Sequence, residues 1–111
     1  MLEQVFTNLI SNAVDALSSR GKGTIAVKIS PGPMAGNKSQ ILITVSDDGP
    51  GIPEKVREHI FEPFVTTKAN GTGLGLAITK RIVTAHRGSI TLNSFPGGTM
   101  FFVNLPASEE V

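Results

Sequence analysis

The chain has 111 residues, a formal net charge of +1 and no cysteine, a length that supports one hydrophobic core and one task. So small a net charge, spread over scattered lysines and arginines, leaves no basic stripe for nucleic acid, and without cysteine there are no disulfides and no thiolate metal sites, which suits a reducing compartment. The longest apolar runs, such as Ile41 to Val45, fall far short of the ~20 residues of a membrane span, and no basic segment precedes an apolar stretch at the N-terminus.

Leu2, Val5, Phe6, Leu9, Ala13 and Leu17 recur at helical spacing, with Gln4, Asn8, Asn12 and Asp15 opposite them, so an amphipathic helix is expected over 2–17, ended by Ser18-Ser19-Arg20-Gly21. Alternation then predicts strands over 24–29 and 41–45, joined through a loop rich in Pro, Gly, Asn and Ser at 30–40. Pro53 followed by Glu54 suits the first turn of a short helix reaching about Ile60, since proline is tolerated there and an acid favours the positive helix end. Residues 61–73 show no periodicity and read as a loop. Leu74, Ile78, Ile82, Val83 and Ala85 mark a second long helix, stopped by Arg87-Gly88. Strands over 89–93 and 99–105, linked by Ser94-Phe95-Pro96-Gly97-Gly98, complete the order, with a polar tail at 107–111. Helices interleaved with hairpins imply an α+β fold, a two-layer α/β sandwich whose mixed, mostly antiparallel sheet is covered on one face by helices.

Three patches of this pattern carry chemistry. On the first helix, at about 100° per residue, Asn8, Asn12 and Asp15 fall in one stripe. Taken alone, such a stripe is a solvated face. An amide oxygen among them is also a hard ligand of the kind Mg2+ accepts beside waters and phosphate oxygens. In the second strand Ile41, Ile43 and Val45 share a face that Asp47 continues, whereas Asp48 falls on the other. A carboxylate ending an apolar face needs a partner, and the exocyclic amino group of adenine can donate to it where guanine would present a carbonyl. Gly49 and Gly51 allow the sharp turn that follows and Ile52 offers an apolar wall; an Asp-Gly turn explains the glycines but not the placement of Asp47. Third, Gly71, Gly73 and Gly75 precede the second long helix, whose free amides favour phosphate. Their spacing is neither that of a Walker loop nor that of a dinucleotide fingerprint.

In this order, Asn8 and Asn12, then Asp47-Asp48-Gly49-Pro50-Gly51-Ile52, then Gly71-Thr72-Gly73-Leu74-Gly75-Leu76, then Gly98-Thr99, the chain resembles the ATP-binding catalytic domain of bacterial sensor histidine kinases over nearly its whole length. The resemblance implies the Bergerat-type fold shared with Hsp90 chaperones, type II topoisomerase ATPases and mismatch-repair ATPases. In that fold a strand precedes the first helix, so this chain is expected to lack the first strand and to be one catalytic domain, 1–111, of a larger kinase.

The same resemblance implies Mg-ATP as the ligand, with Asn12 matching the metal ligand and Asn8 standing where hydrolytic relatives carry a glutamate base; an amide cannot take a proton, which suits kinase chemistry. Asp15 occupies a position near the phosphates where many members carry lysine. Phe61 to Lys68 matches the start of a mobile lid that includes Phe64 and Thr67; Lys68 supplies positive charge, and Gly71, Thr72, Gly73, Leu74, Gly75 and Leu76 close over the phosphates. Phe61 and Phe64 fit core packing as well as they fit a contact to the phosphoacceptor domain. Thr99 resembles the threonine that meets adenine through water. Asn8, Asn12 and Lys68 are the expected catalytic set.

His59 and His86 lie outside the His-Glu or His-Asp setting of the phosphoacceptor that the family uses, and both read as structural. The resemblance therefore implies a partner, a dimeric phosphoacceptor-histidine domain of the same parent protein, and indirectly a response regulator. It implies no nucleic acid and no direct membrane contact by this chain, and a cytoplasmic location even where the parent is membrane-anchored. Two other readings are open: a stand-alone serine kinase of the anti-sigma-factor type, from which the Phe61 to Lys68 segment differs, and a non-catalytic nucleotide-binding module.

Overall fold

A computed structural model describes residues 2–18, 20–65 and 74–107. Its elements follow the order α1 (Leu2–Leu17), β1 (Ile25–Pro31), β2 (Gln40–Asp47), α2 (Glu54–Arg57), α3 (Gly75–Ala85), β3 (Ser89–Phe95) and β4 (Gly98–Pro106). The strands form one sheet in the order β1-β2-β4-β3. Among the described residues every pairing is antiparallel, so the expected mixed sheet is here uniformly antiparallel.

Register explains the core. Leu92 pairs with Phe101 and Ile90 with Val103 across β3 and β4, while Val45 pairs with Phe101 and Ile43 with Val103 across β2 and β4. Strand alternation therefore places all of them on one face, where Val5 and Leu9 of α1 and Ile82 and Val83 of α3 cover them. Val5, Leu9, Val83 and Val103 are fully buried, and each such side chain stabilises the fold by about 1.5–3 kcal/mol relative to exposure. Cover thins toward the edge strand: Val27 is 50% and Ile29 73% exposed, and Ile10 and Val14 of α1 are exposed as well.

Three boundaries depart from the sequence reading. Helix α2 ends at Arg57 rather than near Ile60, because the chain tightens into three-residue turns, His59 N–H to Val56 O and Ile60 N–H to Arg57 O. These turns bury Ile60 and bring the Phe61 ring edge-on to Phe101, with centroids 6.3 Å apart. The loop expected at 94–98 shrinks to Pro96-Gly97, since Phe95 already pairs with Gly98. Strands β1 and β2 run on to Pro31 and from Gln40, taking Ser30, Pro31 and Gln40 of the loop expected between them into the strands.

At the end of α3 the His86 Nδ1–H donates to Ile82 O at 2.8 Å, and Gly88 N–H reaches Val83 O at 2.9 Å. A Cβ on Gly88 would collide with Asn104 O, so this turn can pack against β4 only as glycine. His59 sits on the surface with Nδ1 2.5 Å from Glu62; that hydrogen bond, and then the Glu62 charge, raise its pKa. Both histidines thus have local structural partners.

Candidate nucleotide site

Along the helix-covered face of the sheet the rows read apolar, apolar, polar. Beyond Leu92–Phe101–Val45 comes Ser94–Thr99–Asp47, one residue from each of three adjacent strands. Ser94 and Thr99 are buried and Asp47 is half-buried. This polar row ends the core at the turn that follows Asp47.

Asp47 Oδ1 accepts the Gly49 N–H at 2.9 Å, the local turn that Asp-x-Gly sequences favour. Burial pushes its carboxyl pKa above the usual range, the Asp48 charge adds to this, and the Gly49 hydrogen bond and Arg20 oppose it. Asp48, exposed just past the end of β2, ties the α1–β1 connection instead: its Oδ1 takes the Thr24 N–H at 2.8 Å and its carbonyl takes Arg20 at 2.6 Å. The two adjacent aspartates are therefore divided between site and scaffold. Gly49 packs against Ala16 of α1, whose carbonyl would stand 3.2 Å from an added Cβ, which brings the C-terminal half of the Asn8–Asn12–Asp15 helix beside the turn.

Gly51 has φ +85°, and an added Cβ would run into the Phe95 carbonyl; glycine is required on both counts. The next residue is held from two sides. Ile52 N–H donates to Ser94 Oγ at 2.7 Å, and Ile52 O accepts from Arg57 at 3.2 Å. Its side chain packs against the core, as does Leu76.

Across the helices, Asn8 Nδ2 donates to Gly75 O and to Thr79 Oγ1, both at 3.1 Å, and Thr79 donates to Gly75 O at 2.8 Å. Asn8 is thereby joined to the first turn of α3, the helix that begins with the last glycine of the Gly-rich segment. Asn12 is half-buried and Asp15 exposed on the same helix. Phe64 is 76% exposed with φ +71°, so of its two readings core packing does not hold, whereas Phe61 does pack against the core. Leu74 caps α3. Thr67, Lys68, Gly71, Thr72 and Gly73 lie outside the described residues.

Ser94, Thr79 and Arg57 were not singled out from the sequence. For Ser94 the signal was present, since Ile90, Leu92 and Ser94 alternate with Thr91 and Asn93, but the following Pro-Gly-Gly drew Ser94 into the loop. Thr79 follows Ala77 and Ile78 within a helix already accounted for by its apolar stripe. Nothing local marks Arg57, whose acceptor becomes near only after folding.

Two helices on an antiparallel sheet, with an Asn-bearing helix, an Asp-Gly turn and a Gly-initiated helix converging at one end, define an ATPase domain of the histidine kinase type. A sequence model of the family described as "Histidine kinase-, DNA gyrase B-, and HSP90-like ATPase" matches residues 1–109, and the chain belongs to that family. It is 42% identical, over 96% of its length, to the sensory histidine kinase/phosphatase NtrB of Rhodobacter capsulatus. It is 48% identical, over 94% of its length, to the C4-dicarboxylate transport sensor protein DctB of Rhizobium meliloti. It spans 32% and 16% of those two relatives. Among solved structures, the mycobacterial sensor histidine kinase MprB superposes with a TM-score of 0.77 at 28% identity, covering 93% of this chain and 70% of that one. The catalytic domain of the histidine kinase ThkA superposes with a TM-score of 0.73 at 38% identity, covering 95% and 65%. The likeness is to the ATP-binding catalytic domain of bacterial histidine kinases, as the order of the motifs implied. No described helix is long and apolar enough to cross a membrane.

Proposed function

We propose that the chain binds Mg-ATP and presents the terminal phosphate to a histidine on a separate, dimeric phosphoacceptor domain. The observation that carries this reading is the half-buried Asp47 carboxylate at the end of an apolar sheet face, in register with Thr99 and beside the Gly51 turn. Only one of its oxygens has an intramolecular donor described, so the carboxylate offers an acceptor to the exocyclic amino group of adenine. Among the described residues no group of three or more His, Cys, Asp or Glu side chains could hold a metal ion. A divalent ion here would therefore take Asn12 as its protein oxygen and otherwise phosphate oxygens and water, a donor set that fits Mg2+. When bound, the ion would neutralise charge on the phosphates.

The side chains of this chain bind and orient. Asp47 and Thr99 read the base, Gly49, Gly51 and Ile52 shape its pocket, and the segment from Gly71 to Leu76 with Phe64, Thr67 and Lys68 covers the phosphates. Asp15 lies on the phosphate side of α1. Asn8 cannot act as a base for water, so ATP is held for transfer rather than hydrolysed. Phosphoryl transfer depends on positioning a nucleophile in line with the terminal phosphate, and that nucleophile is the acceptor histidine of the partner domain. In the parent protein the transferred group would pass on to a response regulator.

Calorimetry tests the base site. ATP and ADP should bind and GTP should bind at least about tenfold more weakly, because guanine leaves Asp47 unpaired. Asp47→Ala should remove a similar factor from ATP. Equal affinity of the variant and parent for ATP would refute the placement of adenine at Asp47.

A further inference from the structure

The polar row at the end of the sheet contains a hydroxyl with no place in the reading above. Ser94 is 4% exposed. Its Oγ accepts the Ile52 N–H at 2.7 Å, lies 3.1 Å from Thr99 Oγ1 and 3.4 Å from Gly98 O. An added Cβ on Gly51 would stand 3.1 Å from the same oxygen. One side chain thus meets the turn after Asp47 and the hydroxyl of Thr99 together.

A serine hydroxyl carries one hydrogen. With a lone pair of Ser94 taken by Ile52 N–H, that hydrogen has two acceptors within reach, and Thr99 is the nearer. If Ser94 donates to Thr99, the hydrogen of Thr99 is left to point out of the row. The row then presents a carboxylate acceptor at Asp47 and a hydroxyl donor at Thr99 from paired positions on neighbouring strands. Adenine has the matching edge, an amino donor beside a ring-nitrogen acceptor. Hypoxanthine and guanine have both groups reversed. A Thr99 hydroxyl that could turn either way would leave the water between it and the base free to accept from a ring N–H as readily as donate to a ring nitrogen, and would add little to the discrimination set by Asp47.

We propose that Ser94 is a positioning residue for purine choice: it fixes the Thr99 hydroxyl as a donor and holds the Gly51-Ile52 backbone at the height of the base, without touching the nucleotide itself. This inference rests on the reading that adenine binds between Asp47 and Thr99. It extends that reading by assigning discrimination to a residue outside the contact set.

The test measures ADP and IDP binding by calorimetry on the parent chain, Ser94→Ala, Ser94→Thr and Thr99→Val. The parent should prefer ADP by about tenfold or more. In Ser94→Ala the ADP affinity should fall about fivefold to tenfold while IDP changes less than about twofold, so that the preference narrows by that factor and the part set by Asp47 remains. Ser94→Thr, which keeps the hydroxyl, should restore the full preference. Thr99→Val in the Ser94→Ala background should add little, since without Ser94 the Thr99 hydroxyl is no longer held as a donor. A proportional loss of ADP and IDP affinity in Ser94→Ala marks a merely structural serine and overturns the proposal, and so does an unchanged preference. Should Ser94→Ala not fold, Thr99→Val alone must narrow the preference severalfold, and a preference equal to the parent's overturns the proposal. A parent chain that binds no ADP overturns the nucleotide reading and this inference with it; a parent that binds ADP, with a Ser94→Ala variant of equal preference, overturns the inference alone.

Discussion

The Asn8 carboxamide donates to the buried Thr79 hydroxyl at 3.1 Å, joining the helix that carries the expected metal-ligand position to the helix that follows the Gly-rich segment. The second hydrogen of the same nitrogen goes to Gly75 O, so both donors of Asn8 are used within the protein and its carbonyl oxygen alone remains to accept. This division explains why an amide suits position 8 structurally as well as chemically.

Asn8→Asp follows directly. Aspartate cannot donate to Gly75 O or Thr79 and would set a negative charge against the Gly75 carbonyl. We expect a loss of about 1–3 kcal/mol in chemical denaturation, the cost of two missing hydrogen bonds and a poorly matched acceptor. The carboxylate is not expected to make the chain a fast ATPase, because the water it would activate is not positioned by this residue alone. Stability equal to the parent would contradict the bonding role assigned to Asn8.

The raised pKa of Asp47 gives a pH signature with a definite sign. A carboxyl whose folded pKa lies above its unfolded value binds more protons in the folded state, so its contribution to stability declines as pH rises through the window between the two values. Its contribution to adenine binding runs the opposite way, since only the ionised carboxylate accepts from the amino group without competition from its own proton. Because burial lifts this carboxyl, affinity for ADP should fall on acidification at a higher pH than an ordinary aspartate would give. Calorimetry across pH 4 to 7 on the parent and Asp47→Asn checks it; the acid-side loss should be flattened in the variant, and an identical profile in both would contradict the assignment.

Gly51→Ala combines strain at φ +85° with a collision against the Phe95 carbonyl. Backbone strain of this kind costs on the order of 1–3 kcal/mol, and relief requires the Gly51-Ile52 turn to leave Ser94. Melting should fall by several degrees, and ADP affinity should fall by about tenfold or more in the folded fraction. Unchanged affinity would mean that this turn does not border the base.

Much of the architecture was legible because it rests on periodicity. The stripe of Val5, Leu9, Ala13 and Leu17 gave α1, and alternation placed Asp47 on the face of Val45 and Ile43, which its register with Thr99 bears out. What escaped depends on chain segments that meet only in the fold. The end of α2 is decided by the burial of Ile60 and the seat of Phe61 on Phe101, which no local signal encodes. Ser94 was hidden by its turn-forming neighbours, and the Asn8–Thr79 bond spans residues 71 apart in sequence. The Gly-rich segment reads in the sequence as a phosphate-binding pattern, and its residues 71–73 lie outside the described residues.

Transfer of labelled phosphate from γ-labelled ATP to a supplied phosphoacceptor domain measures the proposed activity directly. Incubated alone with Mg2+ and ATP, the chain should neither turn over rapidly nor label itself, since neither His59 nor His86 lies in the His-Glu or His-Asp setting of a phosphoacceptor. With its cognate dimeric helical domain present, label should appear on that domain in an acid-labile, base-stable form, and Asp47→Ala should suppress it. Stoichiometric label on this chain alone, acid-stable label on a partner serine, or ATP binding with no transfer to the cognate domain would each contradict the account, the second favouring a serine kinase and the third a nucleotide-binding module without catalysis.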